Sequence, residues 1–111
     1  MYPKVTALIK TLLKSDPYYK SMTPFDINRG NCEDFAMSLL EEFKGGEMLW
    51  GDEIPEEFNL SIHEPTFHCF FRYQGEDSLG ETLYYDAECK EGVNSPVELP
   101  FFKRQFEVKF A

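Results

Sequence analysis

Residues 30–46 read GNCEDFAMSLLEEFKGG, and residues 67–73, further along, read FHCFFRY. In the first segment Phe35, Ala36, Leu39, Leu40 and Phe43 recur at helical spacing, which predicts a helix from about Cys32 to Lys44 with one apolar stripe. Gly45 and Gly46 close it. Asn31 stands where a helix cap belongs, and Asp34 three residues later is placed to return a bond to the cap backbone. In the second segment the period shortens to two, as in a strand. Its alternation puts His68, Phe70 and Arg72 on one face and Phe67, Cys69 and Phe71 on the other.

Toward the N-terminus, Val5, Leu8, Ile9, Leu12 and Leu13 form another helical stripe, ended by Ser15, Asp16 and Pro17. Residues 18–29 mix Pro24, Asp26 and Asn28 with aromatics and read as an ordered connection. Residues 47–57 are acidic and hold Pro55, so a loop or a short helical turn is expected there. Alternation marks Leu60 and Ile62, then residues 67–73, then Thr82 to Ala87 after a turn with Gly75 and Gly80. Two or three antiparallel strands are expected. A last strand is predicted over Leu99 to Phe110, where Phe102, Phe106, Val108 and Phe110 nearly alternate. No repeat or linker interrupts the 111 residues, so the expectation is one α+β domain, residues 1–111, with helices packed on a small antiparallel sheet.

The formal net charge is -9, from 20 acidic and 11 basic residues. General attraction to a phosphate backbone or an anionic membrane is thereby excluded, because such binding rests on Lys and Arg displacing counterions. The excess lies in residues 33–91, which carry 16 acidic and 3 basic groups. Solvated acidic faces are the simpler explanation, and an acidic decoy that imitates nucleic acid is the sharper alternative. The three cysteines, Cys32, Cys69 and Cys89, have no CxxC spacing and do not suggest a disulfide framework. Lys10 and Lys14 break the apolar run of the first residues, and no stretch approaches a membrane span, so the cytoplasm is the expected compartment.

Cys32 carries the chemical interest. At the first turn of a helix, unpaired backbone N–H groups and the positive end of the helix dipole favour a thiolate and can hold an oxyanion. Glu33 and Asp34 in the same turn work against the thiolate, so a basic partner is required. His68 on the first clear strand is the candidate base, and Asp86, in YYDAE on the next strand, is the candidate to orient its ring. Arg72 is the nearest competitor for that carboxylate.

This order, a Cys at a helix start in GNCEDFA, a His on a strand in FHCFF and an Asp on the following strand in YYDAE, resembles the papain-like cysteine peptidase superfamily in its transglutaminase-like branch. The stretch from His68 through YYDAECKEGV to LPFF is also similar to small papain-like proteins encoded by bacteriophages. The resemblance covers roughly residues 25 to 90 and implies a papain-like core with Cys32 as nucleophile, His68 as general base and then acid, and Asp86 as orienter. It implies a thiol hydrolase or acyltransferase acting on peptide or protein amide bonds through an acyl-enzyme, with no cofactor. The Gln that papain-type peptidases carry shortly before the Cys has no counterpart. Asn28 and Asn31 are the amides near that position, and Trp50, followed by Gly51, is placed either to cover the core, the simpler role, or to line a substrate entrance.

Other readings stand beside this one. The same scaffold with an unused triad would be a binding protein directed at a host factor. A zinc site from Cys32, His63, His68 and a further cysteine uses suitable ligand types at unsuitable spacing. Asp52, Glu56 and Glu57 amount to a weak cation cluster without EF-hand spacing.

Overall fold

A computed structural model of the chain describes residues 2–51, 68–77 and 79–104. Among these, four helices and a four-stranded antiparallel sheet make a small α+β protein. The order is α1 (Pro3–Ser15), α2 (Pro24–Gly30), α3 (Cys32–Glu42), β1 (Glu47–Trp50), β2 (Cys69–Tyr73), β3 (Leu83–Asp86) and β4 (Cys89–Val93), then a 3-10 turn (Pro96–Glu98). The fourth helix, α4, covers residues 100–104. Strands follow the chain across the sheet in the order β1-β2-β3-β4. No helix among the described residues is long and apolar enough to cross a membrane.

The predicted stripes of α1 and α3 face inward. Val5 and Ile9 from α1 and Phe35 and Leu39 from α3 lie against Phe71 and Tyr73 of β2 and Leu83 and Tyr85 of β3. The opposite face of the sheet holds a smaller cluster, in which Phe70, Tyr84 and Cys89 meet Leu99 and Phe102 from the C-terminal segment. Each aromatic side chain so buried contributes about 2–3 kcal/mol. Phe70 and Phe71 thus serve different clusters, as the period of two requires.

Four local expectations are corrected. Residues 24–30 are helical, because Pro24 suits the first helical position and the Thr23 hydroxyl accepts from the Asp26 N–H at 3.1 Å. Residues 47–50 form a strand, in register with β2 from Glu47 opposite Arg72 to Trp50 opposite Cys69. A further strand, β4, follows β3 after the two-residue turn Ala87-Glu88. Residues 100–104 are helical where a strand was expected, with Phe102 buried against Phe70 and Leu99. The predicted strand at Leu60 and Ile62, and the end of the predicted C-terminal strand, lie outside the described residues.

Candidate active site

Three elements meet at the start of α3. Asn31 joins α2 to α3 with φ -128° and ψ 22°, and its N–H bonds to the Ile27 carbonyl at 2.8 Å while its carbonyl accepts from the Phe35 N–H at 3.0 Å. Its side chain does not cap α3, contrary to expectation. Oδ1 accepts from the Tyr18 hydroxyl at 2.7 Å, and Nδ2 points to the Met22 sulfur at 3.9 Å. The amide that would have closed the first turn is committed to the segment before α2. The Cys32 thiol is half-buried at that turn.

β2 enters beside the thiol. The Cys69 backbone N–H donates to Cys32 Sγ at 3.3 Å, and the Gly51 N–H donates to the His68 carbonyl at 3.0 Å. The backbone of His68 is therefore fixed by β1 while its neighbour is fixed by the thiol. The imidazole is 1% exposed and projects to the face of the sheet opposite α3. There it lies flat on Phe101, with ring centroids 4.1 Å apart and planes at 15°, and meets the edge of Phe102.

β3 delivers Asp86 to the same face. His68 Nε2 donates to Asp86 Oδ2 at 2.9 Å, and Asp86 is 3% exposed. The other carboxylate oxygen accepts the Glu88 N–H at 2.9 Å. That bond is local: an Asp two residues before a turn N–H forms an Asx-type closure of the β3–β4 hairpin, which holds the carboxylate independently of the imidazole. With Nε2 holding the proton shared with Asp86, Nδ1 is the basic nitrogen of the neutral ring. Nδ1 makes no hydrogen bond within ordinary limits, and Cys32 is near enough to act on the ring.

The electrostatics follow from this arrangement. Burial disfavours the Cys32 thiolate, but the hydrogen bond from His68, the Cys69 N–H, the charge of His68 and the Glu33 N–H together lower its pKa below the ordinary thiol value. Burial likewise disfavours the His68 cation, and is outweighed by the hydrogen bonds to Asp86 and Cys32 and by their charges, which raise its pKa. Both shifts favour a thiolate next to an imidazolium. Glu33 and Asp34 point into solvent, and the Glu33 backbone assists the thiolate. Cys89 behaves oppositely: burial and the neighbouring Asp86 push its thiol up to about 11.

The structure thus gathers Cys32, His68 and Asp86, and it distributes the remaining candidates elsewhere. Asn28 is 2% exposed, and its Nδ2 donates to Glu88 Oε1 at 2.9 Å. Trp50 is half-buried on β1 opposite Cys69, on the α3 face. Arg72 does not compete for Asp86; its guanidinium donates to Gln74 at 2.9 Å and sits 3.8 Å from Glu47. His63, Asp52, Glu56 and Glu57 lie outside the described residues. Among the described residues no three His, Cys, Asp or Glu side chains gather as metal ligands.

Several contributors escaped sequence reasoning. The Cys69 N–H and Phe101 have no residue-type signal. Glu88 has one, its place two residues after Asp86 in a tight turn. Comparison with family models, with curated proteins and with solved structures finds no match to this chain.

Proposed function

We propose that this protein is a thiol enzyme of papain-like, transglutaminase-like type that acts on amide or isopeptide bonds through an acyl-thioester on Cys32. One observation carries the proposal: the buried His68 imidazole donates to the buried Asp86 carboxylate at 2.9 Å, while the N–H of the next residue, Cys69, holds the Cys32 sulfur at 3.3 Å. A structural histidine needs only one such neighbour.

In the proposed reaction Cys32 sulfur attacks the carbonyl carbon, a C–S bond forms, and the carbonyl π electrons move to oxygen. The amides of the first turn of α3 stabilise that oxyanion. Collapse breaks the C–N bond, and the leaving nitrogen takes the proton held at His68 Nδ1. Asp86 keeps the ring oriented and stabilises it while charged. Water or a second amine then gives its proton to Nδ1, attacks the thioester and releases Cys32 as the thiolate beside the imidazolium. Water gives hydrolysis, and an amine gives transamidation. The exposed Glu33 and Asp34 next to the thiol favour neutral or cationic substrates.

p-Nitrophenyl acetate tests the acyl step without knowledge of the natural substrate. A burst of nitrophenolate equal to the protein present, with an acetyl group on Cys32 by peptide mass spectrometry, is expected. Acetylation of Cys32 at the same rate in His68→Ala contradicts the proposal.

A further inference from the structure

Three segments come together around His68: the α2–α3 stretch, the β3–β4 turn and α4. One side chain touches all three. The Glu88 carboxylate accepts from Asn28 Nδ2 of α2 at 2.9 Å and from both arms of the Arg104 fork of α4, Nη2 on Oε1 at 2.6 Å and Nη1 on Oε2 at 2.8 Å. The Glu88 backbone N–H meanwhile holds Asp86 Oδ1. Asn28 lies one turn before Cys32, and Arg104 lies three residues after the Phe101 ring that covers the imidazole.

We infer that Glu88 is a positioning residue for His68: through Arg104 it latches α4 so that Phe101 stays flat on the imidazole, and through Asn28 it ties the helix before Cys32 to the turn that carries Asp86. This rests on the acyl-transfer reading, since it assigns Glu88 to the same thiol–imidazole pair.

Two features separate this role from simple support of the fold. First, α4 has independent anchors, Phe102 and the Leu99 that precedes it, both buried in the smaller cluster. Losing the latch leaves those in place and removes a restraint on Phe101, which is only half-buried at the rim of that cluster. Second, the geometry is selective. A bidentate fork fixes the direction of α4 as a single ammonium does not, and the Phe25 ring, 4.8 Å beneath the guanidinium, guides it further. A flat aromatic face on the imidazole favours its cation and keeps water from that side. The charged groups facing the ring are Cys32 on α3, Asp86 on β3 and Glu88 on the turn, the last joined to Arg104 on α4.

The test is the rate of Cys32 carboxamidomethylation by iodoacetamide as a function of pH, in the wild type, Glu88→Gln, Arg104→Lys and Phe101→Leu. Each variant is expected to shift the acid limb up by about one pH unit, a roughly tenfold slower reaction on that limb. Glu88→Gln combined with Arg104→Lys is expected to be no slower than Glu88→Gln alone, because both break one latch. Cys69 and Cys89 should stay protected throughout. An unmoved limb in folded variants overturns the positioning role and leaves the acyl-transfer reading intact. Variants that expose all three cysteines together also overturn it, by showing Glu88 to be structural. A wild-type profile without a limb that depends on His68 overturns both. Should Glu88→Gln not fold, Arg104→Lys keeps the charge, loses the fork and carries the same expectation.

Discussion

The backbone N–H of Cys69 donates to the sulfur of Cys32 at 3.3 Å, so the strand that carries His68 is docked directly onto the helix start that carries the thiol. Cys32 and the backbone next to His68 are thereby joined by a direct contact. The hydrogen bond also favours the thiolate, because a charged sulfur is the better acceptor.

The three cysteines should differ sharply in reactivity. Cys32 is half-buried with a lowered pKa, Cys69 is 1% exposed, and Cys89 is buried with its thiol pushed up to about 11. With limiting iodoacetamide at neutral pH, peptide mass spectrometry is expected to find Cys32 labelled at least about tenfold faster than either of the others. Equal labelling in the native protein would contradict the assigned environments.

The Glu88–Arg104 pair should make stability depend on pH in one direction. The hydrogen bonds from Arg104 are the largest cause of a lowered Glu88 pKa; burial opposes them, and Asn28 and the charges of Arg104 and His68 assist. A carboxylate with a depressed folded pKa contributes stability above its ordinary value of 4.5, and the contribution is lost as pH falls through the lower folded value. Because Arg104 is 39% exposed, Arg104→Gln is expected to cost only about 1 kcal/mol at neutral pH. Urea unfolding should show that difference vanish in acid; a difference that persists below the folded Glu88 pKa contradicts the assignment.

Gly46 is required by contact. A Cβ there would fall on the Phe71 ring and 2.9 Å from the Arg72 carbonyl oxygen. Phe71 is fully buried and cannot yield without disturbing the cluster beneath α3. Gly46→Ala is expected to destabilise by about 1–3 kcal/mol. Gly30→Ala meets nothing within 4 Å at the end of α2 and is expected to be neutral or slightly stabilising. Thermal unfolding of the two variants checks the contrast, and equal effects would contradict it.

The sequence disclosed those parts of the fold that carry a period of their own. The stripes Val5–Ile9–Leu12 and Phe35–Leu39 mark α1 and α3, and the alternation around Phe70 and Phe71 marks β2. β1 has only four residues and owes its form to register with β2, which no local pattern announces. α2 was hidden by turn-forming residues, although Thr23-Pro24 is a legible helix start. The tail misled because Phe102 and Phe106 suit either period, and Pro100 stands at the helical start of residues 100–104.

The site divides in the same way. Cys32, His68 and Asp86 were legible because each is a chemically distinctive residue in a recognisable local setting. The supports around them were not. Asn31 had the residue type of a cap, but the Tyr18 hydroxyl claims its side chain, a contact across 13 residues. Arg104 reaches Glu88 from 16 residues away, and the Phe101 stack on His68 depends on where α4 packs. Such contacts are set by tertiary structure and leave no spacing to read.

Whether His68 holds the proton of Cys32 is measured most directly by the rate of Cys32 alkylation with iodoacetamide across pH, in the wild type and in His68→Ala. The wild type is expected to show its limb below the ordinary thiol value of 9.0, and His68→Ala to move that limb up toward it. Superimposable profiles would show that the imidazole does not activate the thiol, and would contradict the proposed chemistry.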